Sequence, residues 1–319
     1  MKYYAGIDLG GTNIAVGIVD EAYQIVGKAK IKTNAPRPAQ DIADDMDKAT
    51  RQAVANAGLT LSQIEWVGIG TPGTVNQDIG EIEYTNNLQF YHVPMVRMMK
   101  ERLGLPVYME NDANAATYGE ALAGAAKGVK NVIGITLGTG VGGGIIIDGK
   151  IYSGSNFAGG ELGHTVIVYD GRLCTCGRKG CFEAYASATG LITTTREYLT
   201  AHPGDGMWLY CDHDLARVNG RTAFDAMRAG LDSGRQVVTQ YLNYLGCGLA
   251  NMINIFQPDI LFLGGGISKE GETILAPLRD YINKEMYTKA SPKNAEIVTA
   301  QLGNDAGIIG AAFLGNLYA

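Results

Sequence analysis

Between Leu173 and Glu183 the chain reads LCTCGRKGCFE, which sets Cys174, Cys176 and Cys181 in a C-x-C-x4-C pattern. The chain holds five cysteines, so only Cys211 and Cys247 lie elsewhere. Zinc takes four soft or borderline ligands, and three stand here within one short loop. The fourth must be another thiolate or a histidine. Of the four histidines, His92, His164, His202 and His213, His164 is the nearest upstream, in the segment GGELGH. Gly177 and Gly180 allow the backbone to fold tightly around an ion. A Cys3His set would be closed, hence structural. The competing reading is three thiols with no metal. Glu183 follows the last of these cysteines by two residues. A metal that fixes the loop would also fix this carboxylate, although a solvated carboxylate at the start of the helix AYASATGLI explains it too. One ring nitrogen of a metal-bound His164 would leave the other facing a ligand.

A second carboxylate stands at a junction. PVYMENDANAATYGEALAGA, from Pro106, reads as a buried strand ending near Glu110 and then an alanine-rich helix. Asp112 there is either an N-cap or a general base. At a helix N-terminus the dipole and free N–H groups keep a carboxylate ionised, able to orient a hydroxyl and take its proton late. The neighbouring motifs supply Asn87, Asn111, Glu161, His164 and Glu183, with no lysine or arginine in TNNL, ENDAN or GGELGH. Amides and carboxylates suit a neutral polyol better than a sugar acid or sugar phosphate.

The elements that must carry these groups include a weak repeat. GIDLGGTNIAVGIVD (6–20) and GITLGTGVGGGIIID (134–148) both read strand, glycine–threonine turn, strand. Such turns expose N–H groups that cradle phosphate oxygens. Two of them suggest a duplicated lobe with a nucleotide held between. No G-x-x-x-x-G-K-[ST] is present. Gly138, Gly140 and Gly143 satisfy G-x-G-x-x-G, but β-branched residues follow where a dinucleotide fingerprint would open a helix. That disfavours a nicotinamide oxidoreductase. A third glycine site, LFLGGGIS (261–268), follows a helical stretch from Asp232 to Phe256 and would admit a flat ligand such as a purine.

Composition narrows the class. With 319 residues, 46% hydrophobic and 18% charged, the chain reads as a globular protein of two domains. A formal charge of −6 argues against nucleic acid or an anionic membrane as partner. No run of about eighteen apolar residues occurs, and MKYYAGIDLGG enters a strand pattern at once, so a cytoplasmic protein is expected. In that reducing compartment a cysteine cluster favours metal over disulfide.

DLGGTN (8–13), ENDANAA (110–116), LGTGVGGG (137–144), GGELGH (159–164), CTCGRKGCFE (174–183) and LGGGIS (263–268) together resemble the ROK family of sugar kinases, repressors and related proteins. Their order and spacing are similar to those of its bacterial glucokinases, through LGNDAGIIGAA (302–312). The resemblance implies an α/β, two-lobed actin/hexokinase/Hsp70-like (ribonuclease H-like) fold with a central mixed sheet in each lobe and the active site in the cleft. The small lobe would hold residues 1–112 plus 304–319, and the large lobe 113–303 with a zinc-binding loop at 164–181. It implies ATP-dependent phosphorylation of glucose at the 6-hydroxyl, with N-acetylmannosamine or N-acetylglucosamine as alternative sugars. A sugar-sensing repressor is disfavoured, since the first hairpin begins within ten residues of Met1. By the family pattern Asp112 is the base, and Asn87, Asn111, Glu161, His164 and Glu183 hold the sugar. Asp8 helps place magnesium; Gly11, Thr12, Thr139 and Gly140 meet the phosphates; Gly264, Gly265 and Gly266 lie by the adenosine. His164, Cys174, Cys176 and Cys181 bind zinc. A homodimer or dimer of dimers is the family habit. The segment 201–219 matches no motif and is expected to be a solvated surface excursion.

Overall fold

The computed structural model describes all 319 residues. Apolar, β-rich runs give β1 (Tyr3–Leu9), β2 (Asn13–Asp20) and β3 (Ile25–Lys32), an antiparallel meander. Helix α1 (Ala39–Asn56) lays Ile42, Met46, Ala49 and Ala53 on β2 and β3, an apolar stripe at helical spacing. There follow β4 (Ile64–Thr71), a small three-stranded sheet of β5 (Thr74–Asn76), β6 (Glu81–Thr85) and β7 (Phe90–Val93), then α2 (Met95–Leu103), β8 (Val107–Asn111) and α3 (Asp112–Ala123).

The chain continues through β9 (Val132–Leu137), β10 (Val141–Ile147), β11 (Lys150–Ile151), α4 (Glu183–Ala186), α5 (Ala188–Ala201), α6 (Thr222–Arg228) and α7 (Asp232–Phe256). It closes with β12 (Ile260–Gly265), α8 (Glu272–Glu285), β13 (Glu296–Thr299), α9 (Asp305–Ala312) and α10 (Gly315–Tyr318). No helix is long and apolar enough to cross a membrane.

The two five-stranded sheets share one plan. Their orders are β3-β2-β1-β4-β8 and β11-β10-β9-β12-β13: in each, the third, second, first, fourth and fifth strand in sequence. The pairing is antiparallel in the meander and parallel from β1 through β4 to β8. The repeat seen between 6–20 and 134–148 is thus the opening hairpin of each sheet.

Residues 1–134, 144–160 and 300–319 form one compact unit, and 135–143 with 161–299 the other. A division at residue 112 does not describe this grouping. Helix α3 packs face to face on α9, and the contact is close because both surfaces are small. A Cβ at Gly310 would lie 1.7 Å from the Ala115 carbonyl oxygen. Residues 113–134 therefore belong with the first unit. The segment 201–219 is mostly exposed, as a surface excursion should be, but it is not a plain loop: it holds two short helical turns, Gly206–Cys211 and Leu215–Arg217, with Met207, Cys211 and Val218 buried while Leu209 stays 68% exposed.

Candidate active site and metal centre

In the first unit the β1–β2 turn is closed by Gly10 N–H donating to the Asn13 carbonyl at 2.9 Å, and the Thr33 hydroxyl donates to the Gly10 carbonyl at 2.6 Å. A cavity of about 620 Å³ opens there, lined among others by Asp8, Gly11, Thr12, Lys30, Asn304 and Asp305. Asn87 lies beside this turn: a Cβ at Gly11 would sit 3.5 Å from its Cβ. Burial, and after it the charge of Asp112, pushes the Asp8 carboxyl up to about 6, against the pull of the Lys30 ammonium. Asp8 and Asp112, far apart in sequence, are thus electrostatic neighbours.

The junction of β8 and α3 settles which residue caps the helix. Asn111 does: its Oδ1 accepts from the N–H groups of Ala113 at 2.9 Å and Asn114 at 3.2 Å, and its Nδ2 donates to the Gly73 carbonyl at 3.1 Å. Asp112 is the first helical residue, with Oδ1 accepting from Ala113 N–H at 2.8 Å. The N-cap reading of Asp112 is therefore replaced: its carboxylate stands in the first helical turn, where the helix dipole favours a negative charge.

In the second unit the turn at Thr139 and Gly140 is held from outside. The start of α5 grips it, with Ala188 N–H donating to the Gly138 carbonyl at 2.9 Å and the Thr189 hydroxyl to the Thr139 carbonyl at 2.8 Å. Of the three glycines 264–266, Gly265 has φ +87° and a Cβ there would lie 2.4 Å from the Leu137 carbonyl oxygen, so the third glycine site abuts the strand that enters this turn.

The cysteine loop gathers as expected. Single donor atoms of His164, Cys174, Cys176 and Cys181 all lie within 4.8 Å of one another. The Cys174 Sγ–His164 Nδ1 distance is 3.6 Å and the Cys176 Sγ–Cys181 Sγ distance 3.7 Å. A tetrahedron with bonds of about 2.3 Å to sulfur has edges of about 3.8 Å, so three sulfurs and a nitrogen here fit a zinc ion. All five cysteines are free thiols. Burial pushes Cys181 up to about 12 and raises Cys174, while the Arg178 N–H lowers Cys176. The fold alone thus does not favour three thiolates side by side; a bound cation would. The loop is anchored by Phe182, fully buried against α7, where a Cβ at Gly248 would strike its ring at 2.3 Å.

With Nδ1 turned to the sulfurs, His164 points Nε2 toward Glu161, 3.9 Å from its Oε2. Glu183 behaves differently from a free ligand carboxylate. Its Oε2 accepts from Val141 N–H at 3.0 Å and its Oε1 from the Thr175 hydroxyl at 3.2 Å. It joins the cysteine loop to the Thr139–Val141 turn, which are not remote from each other.

Each unit thus brings together its share of the expected residues: Asp8, Gly11, Thr12, Asn87, Asn111 and Asp112 in one, Thr139, Gly140, Glu161, His164, Glu183 and Gly264–Gly266 in the other. Sequence reasoning missed Lys30. The signal was present in IVGKAKIK, where Lys28, Lys30 and Lys32 alternate along β3; Lys28 and Lys30 both line the cavity, and Lys28 is paired there with Asp305 at 2.7 Å.

These arrangements have relatives. The chain is 37% identical over 315 residues to a glucokinase of Halalkalibacterium halodurans, covering 98% of this chain and 94% of that protein. A glucokinase of Streptomyces coelicolor is 37% identical over 311 residues, 97% of this chain and 96% of the relative. Among solved structures, a ROK family glucokinase from Streptomyces griseus in complex with glucose and AMPPNP superposes with a TM-score of 0.79 at 36% identity, covering 98% of both chains. The two sheets of shared strand order accordingly belong to the actin/hexokinase-like fold. The ROK model itself matches residues 4–316. From the first strand to the last helix, then, this chain belongs to the ROK family.

Proposed function

We propose that this protein transfers the terminal phosphoryl group of ATP to the 6-hydroxyl of glucose. The observation that carries the reading is the β8–α3 junction. Asn111 takes the capping duty, so the Asp112 carboxylate is the group at the helix start suited to orient a hydroxyl and accept its proton. Full-length similarity to glucokinases supports it, as does the glucose and AMPPNP bound by the Streptomyces griseus relative.

In this reading Asn87, Asn111, Glu161, His164 and Glu183 bind the sugar hydroxyls. Backbone N–H groups around Gly11, Thr12, Thr139 and Gly140 meet the phosphates, and Gly264–Gly266 lie by the adenosine. Lys30 adds a cation where charge spreads over the transferring group. Magnesium fits beside Asp8, a carboxylate burdened by burial and a like charge. When bound, it neutralises phosphate charge and leaves the chain's own residues to position and deprotonate. Zinc at His164, Cys174, Cys176 and Cys181 holds the loop and takes no part in the transfer.

A coupled assay with glucose, mannose, N-acetylglucosamine, N-acetylmannosamine and fructose tests the proposal. The highest kcat/KM is expected with glucose. A preference for an N-acetylated hexosamine, or no turnover of any of the five, would overturn it.

A further inference from the structure

Glu110, the residue before Asn111, is 1% exposed and has no cationic partner among its hydrogen bonds. A buried carboxylate survives only if its lone pairs are filled, and here they are. Oε1 accepts from Asn111 N–H at 2.7 Å and Asn114 Nδ2 at 3.1 Å. Oε2 accepts from the Ser153 hydroxyl at 3.0 Å, the Tyr318 hydroxyl at 2.5 Å and the Gln77 amide. Segments distant in sequence, around 77, 153 and 318, thus converge on one strand-to-helix junction.

The pattern closes a ring. Glu110 holds the Asn111 N–H and the Asn114 side chain, while Asn111 Oδ1 holds the Asn114 N–H. Asp112 sits inside that ring, on the single turn it immobilises. Burial and the Glu110 charge raise the Tyr318 phenol, so it remains a donor to Glu110.

We propose that Glu110, with Tyr318 and Ser153 behind it, is a positioning residue for phosphoryl transfer. It sets the first turn of α3 and thereby the aim of Asp112, without touching either substrate. The proposal rests on Asp112 being the base.

Glu110→Gln is the variant to make. Its carbonyl oxygen can still accept from Asn111 and Asn114. Its amide then faces two hydroxyls that can rotate to accept and a Gln77 amide that can flip, so the fold should persist. A misplacement of about 1 Å can cost about 10²-fold in rate, and the partial loosening here should lower kcat about 10-fold. KM for glucose and ATP should stay within about 2-fold, because uniform binding is left intact. The decisive readout is the Asp112→Asn background. If Glu110 acts through Asp112, Glu110→Gln should change the residual rate there by less than about 2-fold, since effects on one functional unit do not add. An equal fractional loss in both backgrounds, or wild-type kcat in Glu110→Gln, overturns the proposal. Should Glu110→Gln not fold, Tyr318→Phe, which leaves the carboxylate and its other four donors, is judged by the same criterion. If Asp112→Asn alone keeps full activity, the base assignment fails by a separate measurement.

Discussion

Two carboxylates at the first unit's site work under opposite demands, and each gives a test. Asp112→Asn should fold normally, because Asn111 is the cap, and should keep much of its glucose affinity. Its kcat should drop about 10²–10⁴-fold, the usual worth of a general base; steady-state kinetics on the folded variant check this. Asp8 carries its own pH signature. Its folded pKa of about 6 lies above the ordinary 3.8, so the folded state binds the extra proton between those values. The free protein should therefore lose stability as pH rises from about 4 to about 6, and the penalty should persist above. Asp8→Asn should flatten that slope and raise Tm at pH 7 while abolishing most activity; melting curves at pH 5 and 7 without nucleotide decide it. At this scale the residue types were legible in the sequence and their duties were not. Cap and base look alike in ENDAN, since only the backbone decides whether Asn111 or Asp112 precedes the first helical turn. Lys30 was hidden because its meaning depends on β3 lying beside β2, a pairing that no local pattern states.

At the scale of elements the cysteine loop and the second glycine turn form one mechanical piece. Glu183 ties them through Val141, and α5 holds the same turn from its other side. Loss of the metal should therefore reach the glycine turn as well as the loop, because Glu183 is held by both Thr175 and Val141. The purified protein should contain about one zinc per chain, since a closed Cys3His set holds one ion. Cys176→Ser, or chelation, should weaken AMPPNP in the absence of glucose as well as raising KM for glucose. Calorimetric titration of AMPPNP without sugar checks this, and an unchanged affinity alongside a lost zinc would show that the loop and the turn are uncoupled. The long helix α7 was legible from Asp232 to Phe256 because its apolar period is regular. The turns at 206–217 were not, since short helical turns carry little periodicity and their stability comes from burying Met207 and Cys211.

For the whole molecule, the repeat of strand–turn–strand was enough to anticipate a duplicated plan, and both sheets follow it. The division of the chain was harder to read. Motifs mark where chemistry lies, whereas the grouping of α3 with α9 depends on small residues meeting across a long separation. Gly310→Ala should test that contact. With a carbonyl oxygen 1.7 Å from the new Cβ, the helices must part, and overpacking of this kind costs about 1–3 kcal/mol; chemical denaturation should show a lower midpoint. The same contact has a temporal side. The helix that begins with Asp112 leaves the ribosome about 180 residues before its partner, the helix Asp305–Ala312. At about 5–20 residues per second, that is a wait of about 10–40 s. During that interval the nascent chain already carries Asp112 on a helix whose small-residue face has no partner helix to pack on. The helix pair that carries Asp112 can therefore close only late in synthesis, and its small-residue face stays exposed until then.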